Sequence, residues 1–140
     1  MFFSKFFGKK KPQTTKPTVI ADLPALNAWG TFFQGSGFIL HSRFASTIPG
    51  EESNYIYLKS YPEVFELERK LFAEWLTTST TGVYLQQWDE NTSLWALVFV
   101  SFTNPEFRVI KTNINTPNFT TGYENGKPVI IIGNERVEME

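Results

Sequence analysis

Asp22, Ser36 and His41 supply the three residue types of a hydrolytic triad: an orienting acid, a nucleophile and a base. Their spacing specifies no such assembly. Ser36 lies in Gly35–Ser36–Gly37, which is neither the GxSxG elbow that exposes a nucleophile nor a dinucleotide or Walker phosphate cradle. A turn between two short apolar runs is the expectation there. His41 is the single histidine, and it stands between Ile39–Leu40 and Ser42–Arg43. It could work as a lone acid–base group or help Arg43 hold an anion. A strand-end histidine bonded to backbone accounts for it more simply. Glu51 and Glu52 are adjacent and point apart in an extended chain, so they make no catalytic dyad. Glu63, Glu66 and Glu74 read as the solvated side of a helix rather than a glycosidase cleft. With no cysteine and one histidine, disulfides and the usual Cys or multi-histidine metal sets are excluded, and no cofactor is implied.

Binding chemistry has more to draw on, since aromatic residues make up 16% of the chain. Trp88 and Trp95 flank the polar turn Asp89–Glu90–Asn91–Thr92, with Tyr84 further down the first strand. Such rings could form a platform for a peptide, a sugar or bases; cross-strand core packing explains them as well. Glu51, Glu52, Asp89 and Glu90 sit in loops. Together with Tyr84 and Trp88 they are the candidate partner-binding residues. Asn91–Thr92–Ser93 and Asn118–Phe119–Thr120 match the glycosylation pattern but read as turn chemistry.

Charge is divided along the chain. Lys5, Lys9, Lys10, Lys11 and Lys16 give residues 1–16 a charge of +5, whereas residues 17–140 hold eight basic and fourteen acidic side chains, or -6. Broad binding of a phosphate backbone is disfavoured by an acidic body, and steering of a basic protein partner is favoured. The opening "MFFSKFFGKKKPQTTKP" pairs Phe2 with Phe6 and Phe3 with Phe7 at helical spacing. Those rings, with Lys9, Lys10 and Lys11, are a candidate contact for an anionic membrane surface. Lys5 and the Lys9–Lys11 run interrupt any signal-peptide core, and no run reaches the roughly 18 apolar residues of a membrane span. A frayed terminus followed by an extended Pro12–Pro17 linker is the simpler reading.

The elements that would position these residues suggest an α+β fold. Residues 18–29 read as a short strand or extended entry followed by a turn of helix that Asp22 could cap. Thr31–Phe33 and Phe38–Leu40 flank the Gly35–Ser36–Gly37 turn, Pro49–Gly50 marks a loop, and 54–61 alternates as a strand. Residues 62–76 predict the main helix, with Pro62 at its first position and Val64, Leu67, Leu71 and Trp75 on one stripe widened by Phe65, Phe72 and Leu76. Gly82 then releases the chain. The second half predicts an antiparallel meander: 83–88, 93–102, 107–114 and a last hairpin about Asn125–Gly126, with Pro128 on an edge. The sum is a predominantly antiparallel sheet of about five to seven strands packed against one main helix. Residues 1–17 form a basic arm, 18–133 a single domain and 134–140 a polar tail.

From these features the expected function is a non-enzymatic protein–protein interaction module in the cytoplasm, with the inner membrane surface as a further location. One instance would be a small inhibitor or immunity protein that blocks a basic toxin or nuclease. The alternatives are a small-ligand-binding α+β cup or small enzyme, in which His41 and Tyr55 would be tested first, and a peripheral membrane adaptor using the opening phenylalanines.

Overall fold

The computed structural model describes residues 28–51 and 53–140. The sequence readings that fall on residues 1–27, namely the Phe/Lys arm and the Asp22 cap, lie outside these described residues. The Thr31–Glu140 unit carries the fold.

Among the described residues ten strands run in chain order: β1 (Gly30–Gly35), β2 (Phe38–Thr47), β3 (Asn54–Tyr61), β4 (Leu71–Thr78), β5 (Gly82–Asp89), β6 (Leu94–Ser101), β7 (Phe107–Ile114), β8 (Phe119–Glu124), β9 (Lys127–Ile132) and β10 (Glu135–Glu138). The first seven form one sheet in sequential order, and β10-β9-β8 form a second. Every register in both sheets from β2 onward is antiparallel. Sequential order follows from short turns, because two-residue loops can join only antiparallel neighbours. Asn125 and Gly126 both take positive φ, 55° and 76°, and close β8 onto β9 with Glu124 opposite Lys127. That is the geometry which Asn-Gly favours, since it matches the right-handed twist of the flanking strands. Ser36 and Gly37 make the same kind of turn between β1 and β2.

Two cores lie on the two faces of the large sheet. Phe38, Leu40, Ile56, Leu58, Phe72, Val83, Leu85, Ala96, Val98 and Val100 fill the first. The sheet coils enough for Phe33 of β1 to stack on Phe102, beyond the end of β6, at 5.7 Å and 9°. Ala73, Tyr84, Trp95, Leu97 and Phe99 face the other way, against Phe119 of β8 and Ile130 and Ile132 of β9. β6 is therefore buried on both faces, as its unbroken apolar run requires.

The α+β expectation is overturned: the fold is almost entirely antiparallel sheet, and among the described residues no helix of seven or more residues packs on it. Residues 62–76 divide into a 3-10 turn at Phe65–Leu67 and strand β4. Arg69, at a φ of 62°, breaks any continuous helix between them. The physical reason lies in how many apolar residues this segment carries. A helix on a sheet buries one stripe, and here Leu71, Phe72, Ala73, Trp75 and Leu76 would spread over roughly 200° of the wheel, wider than one stripe. As a strand between two cores, β4 sends Phe72 and Leu76 to one and Ala73 and Trp75 to the other. Val64 and Leu67 still reach the first core, from the 3-10 turn.

Two smaller expectations shift as well. The stretch read as a solvated tail contains β10, whose side chains are mostly exposed but whose backbone pairs with β9. Pro128 lies in the middle strand of its sheet, near the start of β9. There it faces Tyr123 of β8, and the β10 ladder begins one residue later at Val129.

Candidate functional site

The residues considered for catalysis are spread apart. Ser36 occupies the β1–β2 turn, and His41 sits within β2 opposite Lys59. Roughly 16 Å of extended chain separates the two. Tyr55 pairs with Ser46 at the far end of β3, roughly 13 Å along the strand from the partner of His41. Asp22 lies outside the described residues. Among the described residues, no three His, Asp or Glu side chains gather in a metal-binding group.

The aromatic residues do come together. Trp88 and Trp95 are directly opposite in the β5–β6 ladder, with ring centroids 4.8 Å apart. Tyr55 packs on both, at 5.6 Å from Trp88 and 5.9 Å from Trp95. Trp95 is buried and Trp88 half-buried, so the cluster is anchored in the core and open at one side. Glu90 stands close by. Burial first, and then the charge of Glu90, push the Tyr55 hydroxyl above its ordinary range.

Tyr84 has a different place from the one its sequence position suggested. It is 1% exposed, packs on Phe99 at 4.7 Å, and its hydroxyl accepts a 2.9 Å hydrogen bond from the Glu140 backbone N–H. It holds the two sheets together and presents no surface to a partner. Asp89 is partly committed too: its Oδ1 accepts from the Asn91 N–H at 2.9 Å and shapes the β5–β6 turn. Glu90 and Glu51 are exposed. The Glu52 side chain, like Phe2, Phe3, Phe6, Phe7, Lys9, Lys10 and Lys11, lies outside the described residues.

Beside the aromatic cluster an open cavity of about 330 Å³ is walled by β4, β5, β6, the β2–β3 loop and the start of β8. A bulge forms its β4 side. Between the pairs Phe72–Gln87 and Leu76–Leu85, β4 uses four steps where β5 uses two. Alternation along β4 puts Ala73 and Trp75 on the side of the second core, and the exposed Glu74 between them also lines the cavity. Glu74 Oε1 accepts from the Asn54 backbone N–H at 3.0 Å and from its Nδ2 at 3.1 Å. Trp75 meets Phe119 edge-on at 5.4 Å across the gap between the sheets. Gln86, 2% exposed, donates from Nε2 to the Pro117 carbonyl at 2.9 Å. Glu51 and Glu74 are the charged residues in the lining. Sequence reasoning missed Glu74, Trp75, Gln86 and Phe119. The available signal was Gln86, a polar residue on a strand face otherwise made of Tyr84 and Trp88.

The acids of this region differ from those of the second sheet. Arg136 pairs with Glu124 at 2.8 Å, Lys111 with Glu135, and Arg108 with Glu140. Among the described residues, no cation pairs with Glu51, Glu74, Asp89 or Glu90. Their negative field is therefore uncompensated locally, beside rings that offer π-faces. No family model matches the chain, and neither do any curated protein or solved structure.

Proposed function

We propose that this chain is a non-enzymatic protein-interaction module that engages a basic partner through the acidic, aromatic end of its large sheet. The observation that carries this reading is the continuity of Glu51 and Glu74 with Trp75 and Trp95 around one cavity, and of Trp95 with Trp88, Tyr55 and Glu90. Aromatic anchors in a desolvated centre with charges at the rim are the features that dominate interface energetics. The unpaired carboxylates add long-range steering, which raises association rate and selects against acidic partners. A small inhibitor or immunity protein acting on a basic toxin or nuclease is one such module.

Capture of a basic protein from the native host, by wild type and by an Asp89→Lys/Glu90→Lys variant, tests the reading. The wild-type chain should retain a stoichiometric basic protein whose association slows as salt rises, by about tenfold or more over the range in which steering is screened. The charge-reversed chain, still folded, should lose it. Retention by both chains with no salt dependence refutes the steering surface. Capture of small molecules alone moves the function to a ligand-binding cup.

A further inference from the structure

Resting on that reading, we propose that the cavity between β4, β5 and β8 is a socket for a single arginine side chain of the partner. Three features of the cavity converge on this occupant. First, its charged groups are both carboxylates, Glu51 and Glu74, and no described cation neutralises either. Glu74 spends Oε1 on Asn54 and keeps Oε2 for another donor. Second, Gln86 lies on the wall, 2% exposed; its Nε2 is tied to Pro117, and no described residue donates to its Oε1. The Gln86 oxygen is not sealed from solvent, so its lone pairs stay available to a donor that enters the cavity. Third, Trp75, Trp95 and Phe119 supply ring surface, which rules against a small hydrated metal ion and for a cation with an apolar or planar body.

Arginine meets all three requirements at once. Its guanidinium carries five N–H donors in a plane and no acceptor, so it can serve two carboxylates and an amide oxygen together. The same plane stacks on indole faces, and its weak hydration lowers the cost of entry. The methylene stem would lie along the Ile48 and Ala73 side of the lining. A lysine ammonium, compact and strongly hydrated, satisfies fewer of these acceptors and stacks less well. At about 330 Å³ the cavity is at the small end of ligand sites, suited to one side chain rather than to a folded element.

The probe is acetyl-glycyl-arginyl-glycinamide added to the full chain, with the citrulline, lysine and leucine counterparts as comparisons. Indole N–H resonances report on Trp75 and Trp95, and Trp88 serves as the neighbouring reference. The arginine peptide should shift the Trp75 and Trp95 signals saturably, with a dissociation constant on the order of 1 mM for so small a ligand. Citrulline keeps the shape and loses the charge; it should bind at least about tenfold more weakly. Glu51→Gln and Glu74→Gln should each weaken the arginine peptide by about threefold to tenfold while leaving the fold's chemical-shift dispersion intact. Equal binding of citrulline and arginine, or no shift of Trp75 and Trp95 by the arginine peptide, overturns the proposal. These peptide comparisons use the wild-type chain and do not depend on any variant folding.

The two levels of the reading fail separately. If a basic protein is captured through Asp89 and Glu90 but is indifferent to Glu51→Gln/Glu74→Gln, the socket is wrong and the interaction surface stands. If the peptide series behaves as expected and no basic protein is captured, the socket stands and the partner class is wrong.

Discussion

Gly82 offers the sharpest test of how the two cores constrain the sheet. It opens β5 opposite Ser101 at the end of β6. A Cβ placed there would lie 2.4 Å from Phe99 Cζ, 2.8 Å from Phe99 Cε1 and 2.4 Å from the Val100 carbonyl oxygen. The Phe99 ring is held in place: it is 1% exposed, packs on Tyr84 at 4.7 Å, and has the Arg108 guanidinium above it at 4.8 Å. Nor can the Val100 carbonyl retreat without disturbing the β5–β6 ladder. Overpacking of this kind costs about 1–3 kcal/mol. Alanine would return about 0.4–1 kcal/mol by restricting the unfolded chain, which leaves a net loss for Gly82→Ala of about 1–2 kcal/mol. For a chain of this size that is a fall in Tm of roughly 3–8 °C, or in urea midpoint of roughly 0.5–1 M at an unchanged slope. Equilibrium urea unfolding, followed by tryptophan fluorescence and far-UV circular dichroism together, measures it. Phe99→Leu in the same background should recover part of the loss, because two of the three clashing atoms belong to that ring. A midpoint that rises in Gly82→Ala would mean that the glycine is a plain entropic cost, and would refute the close-approach argument.

Two further substitutions probe the elements that the sequence misassigned or misplaced. Arg69→Gly should stabilise the protein by about 0.5–1 kcal/mol, because Arg69 holds a φ of 62°, where glycine carries no Cβ penalty. In the helix that the apolar spacing suggests, the same change would cost about 1 kcal/mol, so the sign of the midpoint shift decides between the structures. Tyr84→Phe should lose about 1 kcal/mol at neutral pH through the missing bond to the Glu140 N–H. Burial is the largest influence on the Tyr84 hydroxyl and raises its pKa above the ordinary 10.0, against a lowering by the Glu140 N–H bond. A raised folded-state value means stability that is complete below about pH 10 and declines as pH climbs through that folded value. Urea midpoints measured from neutral to alkaline pH should show that decline in wild type and a shallower one in Tyr84→Phe. An identical pH profile in both proteins would remove Tyr84 from the linkage.

The parts of the fold that were legible in the sequence are those fixed by local chemistry. Ser36–Gly37 and Asn125–Gly126 announce their turns because both residues of each loop must take positive φ. β5 and β6 are legible from strand composition and a short polar turn, and their register puts Trp88 opposite Trp95. Residues 62–76 fail for an equally physical reason. Val64, Leu67, Leu71 and Trp75 fit a 3.6 period, while Phe72 and Leu76 against Ala73 and Trp75 fit a strand that is buried on both sides. Periodicity alone cannot choose between these. The choice is made by β8 and β9, more than forty residues later in the chain, which supply the second core that a two-sided strand needs.

The same non-local dependence explains why only half of the candidate site could be read in advance. Glu51, Glu90 and Trp88 declare themselves by lying in or beside turn signals. Glu74 and Trp75 reach the cavity as neighbours on a bulged strand, β4, that borders it. Phe119 arrives with the second sheet, and Gln86 is buried because Pro117 takes its amide N–H. A helix at 62–76 would have spread Glu66 and Glu74 along a solvated face, where carboxylates are cheap and carry little information. As a bulged strand, the segment sets Glu74 and Trp75 side by side, a carboxylate at the rim and an indole in the wall. The correction to the fold thus supplies the chemistry of the site: an acid next to an aromatic wall, with the Gln86 amide behind it, exists only in the all-β arrangement.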